Sequence, residues 1–156
     1  MILEQSVSGN PVRYNERIAS YCTSLGLLYS RQKRYEEAEA YHVRAMTTYA
    51  QLTQDDPDRF ARSLALACNN AALAFHINKK YAESEECFKT AIQLREDLAE
   101  DDPEHFNKLL SLSYSGLARL YATTGRPDEA EVYRNKVKSL QTPENNKEEQ
   151  NTIQEN

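Results

Sequence analysis

The stretch LTQDDPDRF at residues 52–60 returns as LAEDDPEHF at residues 98–106, 46 residues further on. Three carboxylates around a proline could be the raw material of a metal or acid–base site, so what the rest of the chain does at that interval decides between chemistry and architecture. The interval holds elsewhere. KRYEEAE at 33–39 becomes KKYAESE at 79–85 and GRPDEAE at 125–131, while LGLLY at 25–29 becomes AALAF at 71–75 and LARLY at 117–121. One period before DDPDRF stands GNPVRY at 9–14, where Pro11 and the aromatic Tyr14 survive and the leading acids do not. Residues 15–60 and 61–106 share about 13 identities over 46 positions. Self-similarity at a fixed period of this length marks a repeat architecture, each unit a supersecondary element that stacks on the next.

Within a unit the apolar residues step by three and four. Phe60, Leu64, Ala67, Cys68, Ala71, Ala72 and Phe75 trace one stripe, and Phe88, Ala91, Ile92 and Leu98 a second. That is the patterning of two amphipathic helices. HINKK between them, and TTGRP in the third unit, read as tight turns, with Gly125 suited to a left-handed C-cap and Pro127 to a helix start. Two helices of about 20 residues, each about 30 Å long at 1.5 Å rise per residue, fill such a unit and leave no room for another domain. Small residues at Gly26, Ala72 and Ala118, and at Ala38, Ser84 and Ala130, mark where paired helices cross closely.

The acids then acquire a structural role. Asp56 and Asp102 precede Pro57 and Pro103; the residue before a proline avoids the helical region, and proline suits the first helical position. The aspartate oxygen caps free backbone N–H groups, and Asp58 and Glu104 in the first turn favour the positive end of the helix dipole. Asn10 takes the place of Asp56 before Pro11, since asparagine caps as well as aspartate. Phe60 and Phe106 are expected to tuck onto the previous helix. Pro11, Asp56, Pro57, Phe60, Asp102, Pro103 and Phe106 are thus read as structural joints, and Asp55, Asp56 and Asp58 offer too few oxygens in one loop for calcium or magnesium.

Composition narrows the function. The 156 residues are 40% hydrophobic and 28% charged, with only 4 Gly and 5 Pro, the profile of a helix-rich globular chain. Much of the net charge of −5 lies after Thr142, which leaves the rest near neutral and argues against nucleic acid as a partner. No apolar run is long enough to span a bilayer or to serve as a secretory signal, so no membrane association is expected. Cys22, Cys68 and Cys87 are odd in number and lack a CxxC pair, which points away from disulfides and zinc and toward a reducing, cytoplasmic setting. Cys22 and Cys68 share one repeat position and read as core residues; Cys87 could be a partly exposed thiol. His42, His76 and His105 fall at different repeat positions without ligand or triad spacing, and no phosphate loop, GxSxG or HExxH occurs. No catalytic residue, metal or cofactor is expected.

These residues resemble the tetratricopeptide repeat. Leu25, Gly26, Tyr29, Ala38 and Ala45 follow its pattern in the first unit, Ala72, Phe75, Tyr81, Phe88 and Ala91 in the second, and Leu117, Ala118, Tyr121 and Ala130 in the third. Cys22 and Cys68 at the usual Trp position, His42 and Arg134 at the second-helix aromatic, and a period some 12 residues longer depart from it. The longer unit looks like the extended repeats of kinesin light chains and of many bacterial repeat proteins. The resemblance covers roughly residues 11–140 and implies an all-α α-solenoid of antiparallel helix pairs wound as a right-handed superhelix. About three 46-residue repeats would follow a partial N-terminal helix.

By repeat, residues 1–8 would end a preceding repeat helix, 9–54, 55–100 and 101–141 would form repeats 1 to 3, and 142–156 a disordered acidic tail. Either the chain is cut from a longer array, or Ile2, Leu3 and Val7 cap the stack; solenoids usually end in polar caps, which favours the cut.

The resemblance also implies a protein-binding scaffold without catalysis, with the first helix of each unit lining a concave groove. The matching positions are Thr23, Leu27 and Arg31, then Asn69, Asn70, Leu73 and His76, then Arg119, together with Ser20, Ser24, Leu66, Ile77, Leu112, Ser115 and Thr123. An amide offers a donor and an acceptor to an extended peptide, so Asn69 and Asn70 either read a ligand backbone or bond the neighbouring helix. The family's clamp for chaperone tails needs Lys, Asn and Arg at set places; only Asn70 matches, so an acidic chaperone C-terminus is not the expected ligand. The partner expected is a protein or peptide. The alternatives are a sensor or regulatory segment of a larger bacterial signalling protein, and a self-assembling module that forms a homo-oligomer through its N-terminal face.

Overall fold

The computed structural model describes residues 10–141, so the expected preceding helix end at 1–8 and the acidic tail at 142–156 lie outside the described residues. Six helices follow one another: α1 (Pro11–Arg31), α2 (Tyr35–Asp55), α3 (Pro57–Ile77), α4 (Tyr81–Asp101), α5 (Pro103–Thr123) and α6 (Pro127–Gln141). No strand occurs among the described residues. The first five helices are each 21 residues long, so the 46-residue period is two equal helices with a short turn and a one-residue joint. The chain is an α-solenoid of antiparallel helix pairs. It forms two compact units, one reaching Leu94 and the other starting at Arg95, with the boundary inside α4.

The joints are built alike. Asn10, Asp56 and Asp102 stand as N-caps before Pro11, Pro57 and Pro103. Their side-chain oxygens each accept the N–H three residues on, from Arg13, Arg59 and His105, at 3.2 Å. One of the four donors a helix start leaves free is satisfied locally, and the proline in the first turn lacks an N–H to begin with. The acids of the joint are therefore tied to the backbone, with Asp55, Asp56 and Asp58 exposed.

The turns are also copies of one another. Lys33, Lys79 and Gly125 occupy the left-handed region at φ of 60°, 61° and 75°. The residue after each donates its N–H back to the carbonyl of Tyr29, Phe75 or Tyr121, closing a Schellman motif. That same following residue is a cation lying over the aromatic that accepts: Arg34 over Tyr29 at 4.5 Å, Lys80 over Phe75 at 5.9 Å, Arg126 over Tyr121 at 4.2 Å. Arg34 and Arg126 further bond Glu37 and Glu129 in the first turn of the next helix.

In the first unit, α2 is sandwiched between α1 and α3. Its Ala45, Tyr49 and Leu52 share one buried cluster with Ala19 and Cys22 of α1 and Phe60 and Ala67 of α3. Each large apolar side chain so buried contributes about 1.5–3 kcal/mol. Where α1 and α2 cross, a Cβ on Gly26 would stand 2.5 Å from His42 Cε1, so the glycine is what admits the imidazole. Between α3 and α4 the corresponding seam carries Ala72 and Phe88, and Ser84 Oγ donates to the Ala72 carbonyl at 2.8 Å. Polar ties hold successive pairs in register: Arg59 with Glu16 at the joint end, and Glu39 with both Asn78 and Lys80 at the turn end.

Candidate functional site

In a chain of stacked helix pairs, function rests on the surface the stacking leaves open. On α1 the open face runs through Ser20, Ser24, Leu27 and Arg31, and on α3 through Leu66, Asn70, Leu73 and Ile77, steps of three and four that keep one side of each helix. Adding 46 to each α1 position lands on the α3 residue of the same rank, so the two helices offer one face in the same register. Leu27, Leu66 and Ile77 are 44%, 47% and 49% exposed, large apolar side chains left in water. Thr23 and Ser24 turn their hydroxyls back onto the Ala19 and Ser20 carbonyls at 3.0 and 3.2 Å, which leaves their oxygen lone pairs as acceptors. His76 packs edge-on against Tyr81 of α4, and Arg31 stands exposed at the end of α1. In the second unit Arg119, Leu112, Ser115 and Thr123 are exposed on α5.

Asn69 departs from the expectation that it lines this face. It is buried, because Ala65, Cys68, Asn69 and Ala72 form the inward i, i+3, i+4, i+7 stripe of α3. Asn70, one residue on, is rotated about 100° outward and is only half-buried, so it is the amide within a ligand's reach. Cys87, read as a partly exposed thiol, is buried with its Sγ 3.6 Å from Met46 Sδ. Burial, with Glu86 and Glu83 nearby, pushes its thiol up to about 11, so the nucleophilic thiolate is scarce at neutral pH.

Two buried polar positions carry no signal in the periodicity. His42 lies in the α1–α2 seam, its Nδ1 without a hydrogen-bond partner, and burial lowers its pKa below the ordinary value. Arg95 is buried in the second unit and donates to the Leu109 carbonyl at 2.7 Å and to Ser113 Oγ at 2.5 Å. Beside it Tyr114 donates to Glu96 and lies under Lys136; burial first, then the Glu96 carboxylate, raises its phenol pKa. The signal for Arg95 existed only in the repeat alignment, where arginine stands in the place of Tyr49 and Ser113 in that of Ala67.

Antiparallel helix pairs repeated every 46 residues, with the first helix of each pair carrying the open face, define a helical-repeat scaffold. Residues 18–58 and 65–98 match two family models, each described as a tetratricopeptide repeat. The chain belongs to that family, whose repeats generally mediate protein–protein interaction. Among solved structures it is similar to the crystal structure of BtubC (BKLC) from P. vanneervenii, with a TM-score of 0.67 and 19% identity, over 79% of this chain and 46% of that one. The chain therefore spans about half the length of that structure. No curated protein sequence matches it significantly. Among the described residues no helix is long and apolar enough to cross a membrane.

Proposed function

We propose that the chain is a non-catalytic scaffold whose open face on α1 and α3 binds an extended protein segment of low charge. The observation that carries this reading is the row of exposed Leu27, Leu66 and Ile77 in register with the half-buried amide of Asn70. A monomer gains nothing from leaving such side chains in water, and contiguous exposed apolar surface with a polar rim is a mark of interaction sites. The centre of the face, Ser20, Thr23, Ser24, Leu27, Leu66, Asn70 and Leu73, carries no charge. An acidic ligand would find no cation there to offset its desolvation. An extended apolar segment would place alternate side chains on the leucines while its backbone met the Asn70 amide and the hydroxyl oxygens.

The test is a random peptide library panned against the full chain, followed by titration of the selected peptides. Enrichment of uncharged apolar sequences is expected, with affinity falling about tenfold, or ~1.4 kcal/mol, in Asn70→Ala and further in Leu66→Glu, while far-UV circular dichroism stays unchanged. Arg119→Glu, on α5, is a separate arm that reports whether the second unit takes part. Peptides that bind both first-unit variants as tightly as the parent would refute this site.

A further inference from the structure

A second open surface lies on α1, away from the groove residues. Tyr14, Tyr21 and Leu28, spaced by seven, stand 55%, 58% and 48% exposed along its length. Seven residues are close to two helical turns, so the three form a continuous stripe about 21 Å long. Their counterparts 46 residues on are Phe60, Ala67 and Ala74 of α3, which are 1%, 1% and 5% exposed. In the third unit the same positions are Phe106, Ser113 and Leu120, all buried. Every later copy of this stripe is covered, and the structure shows by what. Phe60 and Ala67 share a cluster with Ala45, Tyr49 and Leu52 of α2, and Ser113 accepts a bond from Arg95 of α4. The cover is the second helix of the preceding pair in both cases.

From this we propose that the Tyr14–Tyr21–Leu28 stripe is a docking site for an amphipathic helix, lying antiparallel to α1 as α2 lies on α3. Its apolar face carries a small, an aromatic and a branched residue at the spacing of Ala45, Tyr49 and Leu52. Charge points to a helix with acidic flanks. Arg13, Arg17 and Arg31 stand exposed along one side of the stripe, with Arg17 donating to the Tyr21 hydroxyl at 3.1 Å, and the covering helix α2 opens with Glu36, Glu37 and Glu39. Like-charged arginines meeting across a two-fold axis disfavour a second copy of α1 as the occupant. The nine residues before Asn10 would reach only about 14 Å even as a helix, short of the span from Tyr14 to Leu28.

The probe is a capped synthetic peptide of residues 35–55, the chain's own covering helix, titrated to millimolar concentration into the isotopically labelled full chain. Saturable amide shifts centred on Tyr14, Tyr21 and Leu28 are expected. Affinity falls at least tenfold in Tyr21→Glu and in the milder Leu28→Ser, and stays within twofold in Leu66→Glu; each variant is checked for unchanged helical circular dichroism. The proposal is overturned by absence of shifts, or by shifts at Cys22 and Gly26 that mark exchange with α2 itself. Concentration-dependent broadening of the stripe without peptide would equally overturn it, since a second copy would then be the occupant.

Discussion

Helices α1 and α3 have the same length, the same proline start, the same capping geometry and the same turn at their end, yet one side of α3 is core and the same side of α1 is surface. Phe60 is shut away by Tyr49 and Leu52 while Tyr14, its counterpart, is in water. What a repeat position contributes is therefore set by its neighbour in the stack and not by the repeat itself, as expected where each unit contacts only the next. The residue types follow: phenylalanine where the site is closed, tyrosine where the ring must meet solvent.

The largest expected effect comes from truncating each ring. Phe60→Ala should cost about 3–5 kcal/mol in urea unfolding, as a cavity in a packed core does, whereas Tyr14→Ala should stay within about 0.5 kcal/mol, as surface changes do. Equal losses would erase the distinction between the two faces.

Next in size is the seam behind the stripe, where α1 differs from α3 in another way. Gly26 and His42 occupy the places of Ala72 and Phe88. Gly26→Ala would drive a methyl into the imidazole, and the overpacking cost of about 1–3 kcal/mol should exceed the roughly 1 kcal/mol that alanine gains in a helix. In a His42→Ala background the same change should turn stabilising. A double-mutant cycle by thermal unfolding reads that reversal of sign, and additive effects would mean that the contact carries no energy.

The caps come third. Asp56→Ala should cost about 1 kcal/mol, and Asn10→Ala less in global unfolding, because α1 is held from one side only while α3 is held at the joint by Phe60. Amide exchange at Arg13 and Arg59 compares the two starts directly.

The smallest effect is a pH dependence confined to the first pair. Burial holds His42 below its ordinary value of 6.5, with no partner at Nδ1 to favour the charged form. The unfolded chain takes up the proton first, so stability is full above about pH 6.5 and declines as pH falls through that value toward the folded one. His42→Phe, which copies the residue at position 88, should flatten the decline between pH 7 and pH 5. An unchanged slope in chemical denaturation would assign it to other groups.

Much of the fold was legible because its determinants are local. The cap, the proline and the aromatic of each joint sit within five residues, and the two stripes of a unit announce themselves at helical spacing. Gly125 marks its turn openly. Lys33 and Lys79 adopt the same left-handed conformation with nothing in lysine to advertise it, and only their alignment with Gly125 gives them away. The open face was legible in outline, since its residues share one side of each first helix. Which of two adjacent asparagines reaches solvent was not, because a rotation of about 100° between neighbours depends on where the partner helix lies. Arg95 was hidden for a related reason: a charge is buried there because Ser113 and the Leu109 carbonyl face it from another helix.

The account rests on equivalent positions differing only in what covers them, and Tyr21 and Ala67 are the sharpest such pair. Thermal unfolding followed by circular dichroism, on Tyr21→Glu and Ala67→Glu side by side, tests it most directly. The expected result is that Ala67→Glu, which forces an unpaired carboxylate between α2 and α3, abolishes the cooperative transition, while Tyr21→Glu melts within a few degrees of the parent chain. Loss of the transition in both, or in neither, would contradict it.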